Sequence, residues 1–251
     1  MVIVDGRVGI TGGFGIDDRW DGDGRIDEPP QWRDSNVRVR GPAVLDMQQA
    51  FAESWQEATG TLLPPDSFPP AEDAGRSLAA YVSSSENSVA TKGDRLTQLF
   101  IAAAKKRVWI SNAYFLPSSP IMALLARKAR EGVDVRILAA GPRTDTKVYL
   151  APQRTRMDEL VRDGVKAYEY APTMMHGKTM VVDDRIVAVG SCNLDALSLN
   201  RMNEGALVVA DEKLAQEESV RFLQDLAFST ERIRATTGLT AGEGQPPGGR
   251  P

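Results

Sequence analysis

The feature that most constrains this chain is a local pattern that it carries twice. Met1 to Gly13 reads as an apolar strand, an aspartate, a charged turn, a second apolar strand and a pair of small residues, and Val181 to Ser191 reads the same way. Asp5 to Gly12 and Asp183 to Gly190 are each seven residues apart. A repeat of this kind is an architectural statement, since each copy is one supersecondary unit. Residues 1–16 are therefore expected to form a β-hairpin turning at Asp5-Gly6, with a second hairpin over 178–190.

Between and beyond the two copies, strands and helices alternate. Asp17 to Pro30 is rich in Asp, Gly and Pro, which is loop chemistry. Val37 to Arg40 alternates like a strand, and Pro42 is placed to start a helix through about Trp55, with Val44, Met47, Phe51 and Trp55 as its core-facing stripe. Residues 60–76 hold four prolines and read as a linker between two lobes. Strands are expected at 80–84, 108–111, 133–139, 166–170, 178–183, 186–190 and 206–210, and helices at 93–106, 118–131, 153–163 and 211–228. Beyond Thr236 the composition predicts disorder. Such alternation implies an α/β sandwich with a mixed sheet.

Composition excludes several classes. A net charge of −4 and a pI near 5.2 argue against a strongly basic nucleic-acid surface, so nucleic acid is not the favoured partner. One cysteine, Cys192, rules out an internal disulfide framework and suits a reducing compartment. No run of eighteen or so apolar residues is present to span a bilayer.

The chemistry concentrates around the second copy. His176 is the only histidine, and it opens the run His176-Gly177-Lys178-Thr179-Met180-Val181-Val182-Asp183. A histidine and a lysine two apart on an extended strand point to one side. Gly190-Ser191-Cys192-Asn193 then returns a hydroxyl and an amide towards them, and Asn203-Glu204 follows. A proton carrier or nucleophile, a fixed cation and neutral donors suit a tetrahedral phosphate oxyanion. Glu204 is placed to orient the imidazole, because a carboxylate fixes its tautomer. Asp183, a carboxylate ending a strand before a turn, reads as a supporting residue. Ser191 and Asn193 either shape the turn or donate to phosphoryl oxygens.

This block resembles the His-x-Lys-x4-Asp motif of the phospholipase D superfamily, with the Gly-Ser-x-Asn extension that follows it. Lys178, Asp183, Gly190, Ser191, Asn193 and Glu204 all sit at the family spacing. The Tyr-Phe-x-Pro element at Tyr114 to Pro117 is similar to one in bacterial cardiolipin synthases. The resemblance implies a phospholipase D-like αβα sandwich with a mixed sheet and two pseudo-symmetric lobes, with the site at their interface. It implies boundaries of 1–59 for the later part of an incomplete first lobe, 60–76 for the linker, 77–231 for the second lobe and 232–251 for a disordered tail. It also implies a covalent phosphohistidine on one histidine, acid–base work by another, and neither metal nor cofactor. His176, Lys178, Asp183, Asn193 and Glu204 are then the catalytic set. Lys178, Ser191 and Asn193 bind the substrate phosphate. Family precedent gives the nucleophile to the first motif and leaves His176 as acid and base. The implied partners are a phosphatidylglycerol-type phospholipid and a membrane surface, with water or a lipid alcohol as acceptor, and the implied location is cytoplasmic or membrane-associated at the cytoplasmic face.

The family uses two histidines and this chain has one. Aligned on the repeat, the first copy's lysine would fall just before Met1 and its histidine two residues earlier. Asp5, Gly12, Gly13 and Asp34 are then the remnant of the first half-site, Asp34 being the counterpart of Glu204 and the partner of that other histidine. The expectation is an incomplete enzyme whose Met1 is an internal methionine, completed by a missing N-terminal half or a second copy. Gly15 departs from the asparagine common in the family. Two rivals stay open: a single-motif homodimeric phosphodiesterase or nuclease, and a non-catalytic remnant that binds phosphate or lipid. Trp20, Trp32, Trp55 and Trp109 read as core or rim packing, and Cys192 as unreactive.

Overall fold

The structure is a computed structural model that describes residues 1–85 and 91–233. The first copy of the repeat opens it, as strands β1 (Val2–Val4) and β2 (Val8–Gly12), which β3 (Asn36–Arg40) extends into a three-stranded antiparallel sheet in the order β1-β2-β3. Helix α1 (Ala43–Thr59) follows, then β4 (Leu78–Ser84), α2 (Lys92–Ala103), β5 (Arg107–Asn112), α3 (Ser119–Arg130), β6 (Asp134–Ala140), α4 (Leu150–Arg162) and β7 (Lys166–Tyr170). The second copy is β8 (Lys178–Val182) and β9 (Ile186–Gly190), followed by α5 (Ala196–Arg201), β10 (Glu204–Ala210), α6 (Glu212–Leu226) and β11 (Ser229–Arg232). Eight strands form one mixed sheet, ordered β11-β7-β6-β5-β8-β9-β10-β4, in which the neighbouring pairs β5–β6 and β6–β7 are parallel and the others antiparallel.

Alternation along the central strands explains the layering. Val108 and Ile110 of β5 and Met180 and Val182 of β8 pack with Ile101, Leu125 and Leu160 of α2, α3 and α4. Residues of the opposite parity, Trp109 and Val181, face α6, meeting Phe222 and Ala215 respectively. The small sheet shares this second face, with Val37 and Val39 of β3 against Leu207 and Val209 of β10. The α/β sandwich with a mixed sheet is thus observed, with three helices on one face and α6 plus the small sheet on the other.

The stripe expected along α1 holds for half its length. Val44 and Met47 are buried, whereas Phe51 and Trp55 are 41% and 40% exposed. Phe51 and Trp55 pack on each other instead, with centroids 6.1 Å apart. Helix α4 starts at Leu150, ahead of the expected 153, because Pro152 sits in the first turn, where no N–H partner is needed. Two short elements, α5 and β11, lie where none was expected. Arg232 belongs to β11 and bonds Asp158, and the rest of the expected disordered tail, from residue 234, lies outside the described residues. Among the described residues no helix is long and apolar enough to cross a membrane.

Candidate active site

The two hairpins are built alike. Asp5 and Gly6 both have positive φ, 53° and 63°, as do Asp183 and Asp184, 52° and 57°. Each pair makes a two-residue turn that suits strand twist, closed by Arg7 N–H to Val4 O and Arg185 N–H to Val182 O, both 3.0 Å. Gly12 pairs with Asn36, and Gly190 with Ala206. Two residues before each of these partners stand Asp34 and Glu204, which therefore hold the same register position in the two copies.

The structure gives His176 the other carboxylate of the two. Asp34 lies against His176, with Oδ2 2.9 Å from the imidazole Nδ1. Glu204, expected to orient His176, instead accepts from the Ser198 hydroxyl. The third strand of the first copy runs on towards the second copy's histidine, so the carboxylate reaches across the seam rather than staying in its own repeat. Arg33 N–H donates to Met174 O at 2.8 Å and His176 N–H to Arg33 O at 2.7 Å, which locks residues 33 to 35 alongside 174 to 176. Gly13 permits the approach: a Cβ there would lie 2.6 Å from Asp34 Oδ1 and 2.9 Å from His176 O. The Asp34 side chain is only 3% exposed. Its Oδ1 accepts Ser35 N–H at 2.8 Å, and Oδ2 also accepts Trp20 Nε1–H at 2.9 Å.

Aromatic rings surround the imidazole. Trp32, Trp20 and Tyr114 have centroids 5.0, 5.6 and 6.5 Å from it. Trp20 and Trp32, expected as core or rim packing, stand at the histidine because of the loop between β2 and β3, which carries no periodic signal. Tyr114 donates to Asp145, and burial pushes its phenol far up.

Lys178, first residue of β8, is 6% exposed and donates to His176 O. Burial brings its pKa down to about 8, against the attraction of Asp34, Glu204, Asp145 and Asp195. Both carboxylates of the repeat thus act on one ammonium. Burial also raises the Glu204 carboxyl, which Ser191, Ser198 and Lys178 oppose. Asn193 N–H donates to Ser198 Oγ at 2.8 Å, while its side-chain Oδ1 is buried without a hydrogen-bond partner. Ser191 Oγ accepts Gly205 N–H at 3.2 Å.

Three expected members stand apart. Asp183 is at the far end of β8, where it accepts the N–H groups of Lys105, Lys106 and Arg107. Burial works to raise its pKa, but those three bonds outweigh it and hold the carboxyl below its ordinary range. It is a clip between the β8–β9 turn and β5, not a group facing His176. Asp5 occupies the equivalent exposed turn of the first copy. Gly12 contributes its lack of a side chain, beside Asn36. Cys192 is partly buried, and burial pushes its thiol up to about 12. Among the described residues no cluster of three His, Cys, Asp or Glu could hold a metal.

Residues 98–226 match the family model described as "Cardiolipin synthase, PLD-like domain". Cardiolipin synthase A of Pseudomonas aeruginosa is 36% identical over 233 residues, covering 92% of this chain and 46% of that protein. The Pseudomonas fluorescens enzyme of the same name is 35% identical over 236 residues, covering 92% and 47%. The chain thus spans about half the length of the curated relatives it matches. Among solved structures, phosphatidylserine synthase of Haemophilus influenzae aligns with a TM-score of 0.68 at 11% identity, over 91% of this chain and 61% of that one. Nuc of Salmonella typhimurium, a phospholipase D family member, aligns with a TM-score of 0.53 at 20% identity, over 63% and 99%. These two likenesses speak to the fold. With the family model matching just over half the chain and the repeat, the seam and His176 beside the buried Lys178 all in place, the chain belongs to the cardiolipin synthase, phospholipase D-like family.

Proposed function

We propose that the chain is the second-motif part of a phosphatidyl-transfer enzyme that cleaves the phosphodiester of a phosphatidylglycerol-type phospholipid at a membrane surface. The observation that carries this reading is the His176 Nδ1 to Asp34 bond, made beside the buried ammonium of Lys178. With Nδ1 held by a carboxylate, Nε2 is the nitrogen left to exchange a proton with substrate. Lys178, Ser191 and Asn193 neutralise the non-bridging phosphoryl oxygens. In the first step a second imidazole attacks phosphorus: a P–N bond forms, the P–O ester bond breaks, and His176 gives its proton to the leaving alkoxide. In the second step the acceptor alcohol or water gives its proton to His176 as its oxygen bonds phosphorus and the P–N bond breaks.

His176 is the one histidine of the chain, so the second imidazole comes from other polypeptide. Glu204 supports this, because it stands where Asp34 stands but meets hydroxyls instead of a ring. An opening of about 240 Å3 lies beside it, lined by Tyr81, Ser191, Glu57 and Met1, with room for an imidazole.

The test compares the chain with a version carrying a His-x-Lys strand ahead of β1, both incubated with phosphatidylglycerol vesicles and read by lipid mass spectrometry. The chain alone is expected to give no cardiolipin or phosphatidic acid. The extended version is expected to give one of them, and to lose it with His176→Ala. Turnover by the chain alone would sink the two-imidazole account; an inert extended version would sink phosphatidyl transfer.

A further inference from the structure

We propose that Trp20 is a positioning residue for His176, acting through Asp34. The inference rests on His176 being the proton carrier proposed above, but its geometry is independent of substrate. Asp34 Oδ2 accepts two donors at once, the imidazole Nδ1–H and the indole Nε1–H, each at 2.9 Å. Its other oxygen is held by Ser35 N–H at 2.8 Å. With both oxygens engaged from fixed directions, the carboxylate cannot rotate, and Oδ2 stays aimed at Nδ1. A second donor on the same oxygen also draws electron density from it, so the imidazole is oriented by a tempered acceptor rather than by a free carboxylate.

Trp20 is itself placed by a short chain of contacts. It ends a 3-10 turn, Asp18–Trp20, whose N-cap Asp17 accepts Arg19 N–H at 3.0 Å. Arg19 O accepts Trp32 N–H at 2.6 Å, tying the turn to the segment that carries Asp34. The Trp20 and Trp32 rings meet at 4.7 Å, and the Arg19 guanidinium covers Trp32 at 4.6 Å. Gly15 accounts for the room: a Cβ there would lie 2.9 Å from Trp20 Cζ3 and 3.0 Å from Cη2. The glycine that departs from the family's asparagine is therefore what admits the indole.

The single histidine makes the test direct, since every imidazole signal in a 15N-histidine spectrum belongs to His176. In Trp20→Phe, which keeps a ring and removes the donor, the hydrogen-bonded Nδ1–H proton is expected to move downfield, because Oδ2 then serves one donor. Gly15→Asn, which pushes the indole off Asp34, is expected to shift it the same way and provides the reading if the phenylalanine variant fails to fold. Trp32→Phe, which shrinks a neighbouring ring but removes no donor to Asp34, is expected to leave that proton near its original position. Unchanged imidazole signals in Trp20→Phe, or an equal shift in Trp32→Phe, would overturn the proposal. The spectrum is recorded without lipid, so failure of phosphatidyl transfer would leave this reading standing.

Discussion

Lys178 gives the most demanding prediction, because its charge is expected to harm the fold and serve the site. Burial lowers its pKa from 10.5 to about 8 even with four carboxylates attracting it. Each unit is worth about 1.4 kcal/mol, so at pH 7 the folded protein carries a penalty of about 3 kcal/mol for holding the ammonium. Lys178→Met keeps an unbranched stem and removes the charge. It also leaves His176 O without its side-chain donor, which returns about 1 kcal/mol. The net expectation is a variant more stable than the parent by about 2 kcal/mol at pH 7, measured by urea unfolding with tryptophan fluorescence.

The sign follows from linkage. A lysine whose folded pKa is depressed penalises the native state wherever the unfolded chain keeps it charged. The penalty is full below about pH 8, shrinks between 8 and 10.5, and vanishes above. Parent and variant should therefore converge and then cross as pH rises, leaving the variant about 1 kcal/mol weaker at the alkaline end. A variant less stable than the parent at pH 7, or a gap that ignores pH, would refute the reasoning.

Two further outcomes follow from the same geometry. Affinity for a small phosphodiester such as dimethyl phosphate, whose own charge is constant there, should fall as pH rises through about 8 and Lys178 loses its proton; calorimetry showing constant affinity from pH 7 to 9.5 would contradict it. Asp183→Ala should cost about 3 kcal/mol, from three lost backbone bonds and from placing alanine at φ 52°, yet leave phosphodiester affinity unchanged; a loss of affinity without a loss of stability would return Asp183 to the site.

What was legible in the sequence was whatever repeats locally. The Asp5 and Asp183 turns and the strands around them follow from spacing, since a two-residue turn and a period of two leave little freedom. The shared register of Asp34 and Glu204 is seen in the strand pairing, because their distances along the chain from the two hairpins differ. The assignment of carboxylate to histidine did not follow, because Asp34 and His176 are 142 residues apart and belong to different copies. Sequence proximity favoured Glu204, and only the docking of the small sheet on the large one selects Asp34. Trp20 was hidden for a related reason: its position depends on a loop with no periodic constraint and on the space left by Gly15.

That pairing carries an argument about the fold as a whole. Each copy of the repeat supplies a carboxylate at one register position, and the carboxylate observed to hold a histidine holds the other copy's. Neither copy therefore contains a histidine–carboxylate pair by itself, and the pair exists only while the seam between the sheets is closed. Gly13, the 33-to-35 segment and the half-buried Val37 and Val39 of β3 maintain that seam, through backbone bonds at 2.7 and 2.8 Å and apolar contacts with β10. Perturbing them would separate Asp34 from His176 without touching either side chain. The orientation of His176 is thus a consequence of sheet packing, and substitutions along β3 are expected to report on the imidazole as surely as substitutions beside it.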